Sequence, residues 1–247
     1  MPARSGESSE AGGAPSLTAK ASRARVSVTV LFIILGVLDA TWASRIPLIR
    51  ERLHLSDLGL SLALAGPAVG LVVSTRLATA IVDRIGNKRA ARRAAVASAA
   101  FSVLPGIAPD LVLLAISLAV WGACLGTLDI TMNAQGSALE RTEGRSLMSR
   151  LHASYSMAIL AFAAVGALAA RLNVAPPVHF LLIGGVCVVL VVLCTRALPD
   201  DPDPGPAAPS PASAQARRSL IGYPRLMALA AIGFCALLTE GAVINWS

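Results

Sequence analysis

The chain has 247 residues, of which 55% are hydrophobic and only 14% are charged. This composition is too apolar for an ordinary soluble domain. The net charge of +7 does not indicate a nucleic-acid-binding protein, because the basic residues lie between apolar runs and not on a basic face with interleaved aromatic residues. The cysteines all lie inside apolar segments and predict neither a disulfide framework nor a metal site: Cys124, Cys187, Cys194 and Cys235.

Residues 1–25 are rich in Ser, Gly, Ala and Pro, which predicts a disordered tail. The basic residues at its end precede an apolar run over residues 26–44. That order also occurs in a signal peptide, with a cleavage site after Ala43. Asp39 inside the run, and the further apolar runs behind it, favour a first membrane helix instead.

Seven apolar segments each approach the roughly 20 residues that a helix needs to cross a bilayer. The third is the weakest, because Pro105 and Gly106 interrupt it. The second begins after an N-cap signal at Ser56 and carries small residues over 66–70 for close helix packing. The predicted spans are residues 26–44, 58–82, 94–108, 111–133, 151–170, 178–195 and 226–245.

The loops between these spans predict the orientation of the chain. Of the 21 Lys and Arg residues, 16 lie on the side of the N-terminal tail and 4 on the opposite side. By the positive-inside rule the N-terminus is cytoplasmic, in a multi-pass protein of the bacterial inner (plasma) membrane. Residues 199–225 form a Pro/Ala-rich cytoplasmic linker between six spans, over 26–198, and a seventh, over 226–247.

An internal repeat relates the first and fourth spans. Residues 35–41 (LGVLDAT) and 125–131 (LGTLDIT) agree at five of seven positions. Because the two spans cross the membrane in opposite directions, this predicts inverted-topology repeats of three helices each. Asp39 then lies toward the outer side and Asp129 toward the inner side. A carboxylate in a span costs on the order of 3 kcal/mol, which makes both acids candidate functional residues.

The loop between the second and third spans carries a recognisable pattern over residues 79–89. It resembles the cytoplasmic signature loop of the major facilitator superfamily, with Thr79 where the family has its first glycine. Gly86 suits a position of positive φ in the tight reversal. The alternative is an ordinary basic loop. The matching positions are Asp83, Arg84, Gly86, Lys88 and Arg89.

Four further segments, residues 42–47, 133–136, 147–152 and 240–247, resemble a poorly characterised bacterial permease branch of that superfamily. The resemblance implies an all-α membrane protein. It would consist of a six-helix N-terminal half, built of 3+3 inverted repeats, plus the first helix of a second half. The implied function is transport of a small polar solute by proton-coupled alternating access, without a cofactor.

In the family, spans one, four and seven line the solute cavity, and here they carry Asp39, Asp129 and Glu240. The resemblance implies that these acids couple transport to protons. It also implies that the solute contacts polar and aromatic side chains nearby: Trp42, Asn133, Gln135 and His152. Two departures are that the fourth span lacks the Arg of many proton-coupled members and the fifth lacks the Gly-Pro motif of drug antiporters.

The resemblance implies twelve spans, and the sequence ends with the seventh. We therefore expect this polypeptide alone not to transport, and a separate second half is a candidate partner. Two other classes stay open: a non-transporting membrane interaction protein, and a membrane-embedded enzyme. The enzyme hypothesis has no metal cluster or nucleophile–base pair in its favour. For each acid, the alternative to a functional role is a carboxyl satisfied by a neighbouring amide or by Arg76.

Overall fold

The computed structural model describes residues 17–199 and, beyond them, Ala228, Ile232 and Cys235. The rest of the predicted seventh span, including Glu240, lies outside the described residues, as do most of the linker and residues 1–16. Residues 17–199 form eight helices: α1 Leu17–Ala43, α2 Ile46–Arg52, α3 Asp57–Ile85, α4 Asn87–Phe101, α5 Leu104–Ile107, α6 Leu111–Glu143, α7 Met148–Arg171 and α8 Pro176–Cys194.

Five helices are long and apolar enough to cross a membrane: α1 (continued by α2), α3, α6, α7 and α8. They confirm the first, second, fourth, fifth and sixth predicted spans. Ser56 caps α3 as predicted, its hydroxyl accepting the backbone N–H of Gly59 at 3.1 Å. The third span is present as a broken helix, because the Pro105 ring cannot follow an uninterrupted α-helical turn. Its first part, α4, begins at Asn87, earlier than the predicted boundary.

The first helix also begins earlier than its apolar run. Residues 17–25 belong to α1, so this part of the predicted disordered tail is helical. Its alanines and basic residues are good helix formers. Arg25 Nε lies 3.0 Å from a carboxylate oxygen of Glu143 at the end of α6, which holds the extension against the bundle.

Helix packing follows the predicted inverted repeat. α1 packs on α7 as α3 packs on α6, and α4 packs on α6 as α8 packs on α1. If α1 is exchanged with α6, α3 with α7, and α4 with α8, the α1–α7 pair becomes the α6–α3 pair. The same exchange turns the α4–α6 pair into the α8–α1 pair. The all-α, 3+3 architecture expected from the sequence is therefore confirmed for the six crossings of the described chain.

The residues shared by the two repeat segments have the same structural role in each. Gly36 lies against the α7 backbone, where an added Cβ would be 2.5 Å from the carbonyl oxygen of Tyr155. Gly126 lies equally tightly against Ser74 of α3. Each glycine thus allows the helix pair of its own repeat to approach closely.

The other shared residues are also equivalent. Leu38 and Leu128 are both fully buried. The Thr41 and Thr131 hydroxyls each donate to the carbonyl oxygen four residues earlier, at 2.6 and 2.7 Å. The repeat is therefore a structural unit that occurs twice and not a chance match between two apolar sequences.

A buried Arg–His contact joins the junction between α1 and α2 to α8, at the end of the bundle opposite the signature loop. Arg45 Nε donates to Nδ1 of His179 at 2.9 Å. Arg45, counted above with an outer loop, is 0% exposed. Neither Nη atom of Arg45 has a hydrogen-bond partner among the described residues. The short helix α2, which the sequence did not predict, follows this residue and buries Ile46 and Ile49.

The close approach of the paired helices predicts a measurable stability difference between glycines. We expect Gly36→Ala and Gly126→Ala to lower the free energy of unfolding by about 1–3 kcal/mol each, because the new methyl group overpacks a helix contact. Gly185→Ala on α8, which meets nothing within 4 Å, is the matched control. It should stabilise by about 0.5–1 kcal/mol through helix propensity. Thermal unfolding in detergent measures both, and equal effects at all three sites would contradict the packing role.

Candidate functional site

Asp129 and Asn133 share one face of α6, as their four-residue spacing predicts. Both side chains are half-buried. The Asn133 Nδ2 atom donates to Oδ1 of Asp129 at 2.9 Å and to the Asp129 backbone carbonyl at 2.9 Å. A neighbouring amide therefore satisfies part of the carboxylate and fixes its rotamer, while its second oxygen has no hydrogen bond from a described residue.

His152 lies on α7 and faces the same region. Its imidazole is exposed and packs edge-on against Phe32 of α1, with ring centroids 5.2 Å apart. It is close enough to Asp129 for the two side chains to interact electrostatically. The structure therefore brings together three of the predicted site residues, Asp129, Asn133 and His152.

Asp39 has a partner that the sequence analysis missed. The Tyr155 hydroxyl on α7 donates to Oδ2 of Asp39 at 3.0 Å. Both side chains are half-buried. A signal for Tyr155 was present in the sequence, because it follows His152 by three residues and therefore shares its helix face.

One face of α7 thus reaches both repeat acids, through Tyr155 to Asp39 and through His152 to Asp129. We call the resulting set the polar row; its members are Asp39, Asp129, Asn133, His152 and Tyr155. Carboxyl, imidazole and phenol groups can each donate or accept a proton. The amide can both donate and accept hydrogen bonds. The row is only partly buried, since His152 is exposed and the other four side chains are half-buried.

Trp42 lies apart from the polar row. It is 8% exposed and packs between Trp121 and Phe180, at centroid distances of 6.1 and 6.4 Å. Trp121 in turn donates its indole N–H to the carbonyl oxygen of Ser98 at 2.9 Å. Two aromatic neighbours thus cover the Trp42 ring, and its predicted contact with the solute stays a prediction.

Gln135 also points away from the row, into the contact between α6 and the signature loop. It is 2% exposed. With its amide oxygen facing the available donors, it accepts from Asn87 Nδ2 at 3.0 Å and from the Lys88 backbone N–H at 3.2 Å. Its amide nitrogen donates to the carbonyl oxygen of Pro199 at 3.3 Å. Gln135 therefore joins three segments at the same end of the bundle.

Within the signature loop, Gly86 is the single residue between α3 and α4. Gly86 has φ of +80°, which confirms the positive φ expected there. Asn87 Nδ2 lies 3.2 Å from the Thr131 carbonyl oxygen and further ties the loop to α6. Asp83, Arg84 and Arg89 are exposed, and the carboxylate of Asp83 has no hydrogen bond or ion pair with a described residue.

Residues 26–246 match the family model of the Major Facilitator Superfamily. The chain belongs to the major facilitator superfamily. This agrees with the inverted repeat, the signature loop and the span order. Members are membrane transporters of small solutes, so the described helices form the bilayer-spanning part of a transporter-family protein. In 17–199 and at the three further described positions, no group of three or more His, Cys, Asp or Glu residues could hold a metal ion.

The chain resembles several transporters of this superfamily. It is 31% identical over 159 residues to an uncharacterized transporter of Sinorhizobium fredii, covering 63% of this chain and 42% of that protein. It is 27% identical over 229 residues to an uncharacterized MFS-type transporter of Yersinia pestis, covering 90% and 56%. It is 28% identical over 225 residues to the membrane protein MosC of Rhizobium meliloti, covering 90% and 52%. The chain spans about half the length of these relatives.

The position of Gln135 predicts how this superfamily member holds its signature loop. Gln135→Met keeps the length of the side chain but leaves the Lys88 N–H and the Asn87 amide without their acceptor. We expect this to cost about 1–3 kcal/mol and to raise hydrogen exchange at the first turn of α4 selectively. Asn133→Leu removes an amide from another face of the same helix and is the matched control. Unchanged hydrogen exchange at the first turn of α4 in Gln135→Met would show that Gln135 does not hold the signature loop in place.

Proposed function

We propose that this superfamily member moves a small polar solute across the bacterial plasma membrane by proton-coupled alternating access. The observation that carries the proposal is the polar row. Two acids lie at equivalent positions of the inverted repeat. From one face of α7, Tyr155 hydrogen-bonds to Asp39 and His152 lies near Asp129. A scaffold with no use for these acids would avoid their cost in a membrane span.

The chemistry of the row suits proton transfer between two sides of a membrane. An acid that meets water from one side only can bind a proton in that state and release it when access changes side. In the proposed orientation Asp39 lies nearer the outer surface and Asp129 nearer the cytoplasm. The Tyr155 hydroxyl at Asp39 and the Asn133 amide at Asp129 supply the donors that compensate each carboxylate when water withdraws.

Solute contact is proposed for the accessible members of the row. Asn133 is half-buried and His152 is exposed, so both offer hydrogen-bonding groups at the surface of the described bundle. Glu240 remains a proposed third acid, from the seventh span. For Trp42 and Gln135, whose surroundings are aromatic packing and loop contacts, we propose a structural role in the same transporter.

The proposed orientation places the signature loop in the cytoplasm. The end of the bundle that holds this loop also holds the start of α1, the end of α6 and Pro199, through the Arg25–Glu143 and Gln135 contacts. Most of the basic residues belong to this end. The positive-inside rule therefore supports a cytoplasmic N-terminus.

A second candidate function is a membrane interaction protein that does not transport. The polar row would then be inherited from a permease and would have no transported solute. The two candidates predict different results when a second six-helix half is present: a permease would then transport a solute, and an interaction protein would not.

The first test concerns Asp129 in a version with both halves, reconstituted in proteoliposomes containing a pH-sensitive dye. A panel of sugars and amino acids is added outside. We expect Asp129→Asn to lower solute-driven proton entry at least about 100-fold, a typical loss for a proton-transfer group, while solute exchange at equal concentrations persists. Asp57→Asn, at an exposed site paired with Arg50, is the control. Full proton entry in Asp129→Asn would remove this residue from coupling.

The second test concerns residues 1–247 alone. We expect liposomes containing only this chain to take up none of the panel. The chain supplies one half of the cavity wall, so the other side of the polar row is open to lipid or water. Addition of a second six-helix half should produce uptake. Uptake by the chain alone would contradict the expectation, and its absence with both halves present would favour the interaction protein.

A further inference from the structure

A crevice of about 320 Å³ opens between α3 and α4 at the signature-loop end of the bundle, with α6 behind it. It is separate from the polar row, and the proposed transport does not use it. Its lining is Leu77, Ile81, Arg84, Ile85, Ala90, Arg93, Ala94, Ala97, Cys124 and Thr127.

The lining follows from helical periodicity. The α3 residues recur at intervals of three or four and form one face, and the α4 residues do the same. The α4 side is nearly all alanine, so the two helices leave space between them. Along α3 the wall from Leu77 to Ile85 is about 12 Å long at the rise of an α-helix.

Each of the two helices contributes one arginine to this crevice. Arg84 is in the last turn of α3 and Arg93 in the second turn of α4. Both are exposed, and neither makes a hydrogen bond or ion pair with a described residue. Asp83 is next to Arg84 in the chain but does not line the crevice. Two guanidinium groups therefore share one apolar crevice with no acidic residue in its lining.

We propose that this crevice is a binding site for an anionic phospholipid. The phosphate lies between Arg84 and Arg93, since guanidinium groups bind phosphate through paired N–H donors. One acyl chain follows the apolar wall toward Leu77. Position supports this occupant, because Arg84 lies where α3 ends and the apolar Ile81 and Leu77 lie one and two turns deeper on the same helix.

Continuity with the lipid-facing surface favours a phospholipid over a soluble phosphate. Leu77, at the deep end of the crevice, is 40% exposed, and Val73 one turn further along α3 is 52% exposed. The apolar wall therefore passes directly into an exposed apolar face of α3, along which an acyl chain can continue. A soluble phosphate compound would contact the arginines and leave this wall uncovered.

Lipid binding here has a structural consequence that does not depend on transport. The two helices that form the crevice are those joined by Gly86. A lipid that contacts both would hold the end of α3 against the start of α4, on the side of the loop opposite the Gln135 contacts. The signature loop would then be held by protein on one side and by lipid on the other.

The test uses the full purified chain in detergent and native mass spectrometry, with phosphatidylglycerol and phosphatidylcholine of identical acyl chains. We expect at least about a tenfold preference for phosphatidylglycerol, as expected for a paired charge-assisted contact. Arg84→Gln with Arg93→Gln should abolish it. Arg76→Gln with Arg141→Gln removes the same charge at exposed positions outside the crevice and should keep it. The proposal would be overturned if both double variants lost the preference for phosphatidylglycerol equally, or if neither variant lost it.

A second pair of variants tests the apolar part without changing charge. Ala97→Leu fills the crevice and should reduce phosphatidylglycerol binding, whereas Ala100→Leu, exposed on α4 and outside the lining, should not. In the unmodified chain, phosphatidylglycerol should also protect Cys124 from maleimide relative to phosphatidylcholine, as read by peptide mass spectrometry. Inorganic phosphate that competes fully with the lipid, or unchanged binding in Ala97→Leu, would overturn the proposal in favour of a simple phosphate site or a surface contact.

Discussion

The close contact of each repeat's first helix with its partner is the constraint on which the bundle depends. Gly36 brings α1 onto α7, and Gly126 brings α6 onto α3. In a bilayer, apolar side chains gain little by leaving lipid for protein, so close backbone approach and interhelical hydrogen bonds must hold the helices together. A glycine at each contact provides that approach in both repeats.

The positions of the two acids follow from this contact, although their partners differ. Asp39 lies three residues after Gly36, and the helix that Gly36 contacts supplies its hydrogen-bond donor, Tyr155. Asp129 lies three residues after Gly126, but its donor is Asn133 from its own helix. Equivalent acids with different partners can differ in proton affinity.

Tertiary contacts divided the predicted site into two parts. Asp39, Asp129, Asn133 and His152 remain candidates for one site because α7 brings them together. Gln135, two residues beyond Asn133, points toward the signature loop instead, since two residues along a helix rotate a side chain by more than half a turn. Gln135 therefore does not join the polar row, and its predicted contact with the solute stays a prediction.

The sequence by itself determined the family, the span order and the inverted repeat, because hydrophobic runs, loop charge and a turn glycine are local properties. It also identified the costly acids. Only the tertiary structure decided what each one contacts, since Tyr155 meets Asp39 and His179 meets Arg45 across more than a hundred residues. Such pairings depend on helix rotation and depth, which apolar periodicity constrains weakly when lipid and protein interior are equally apolar.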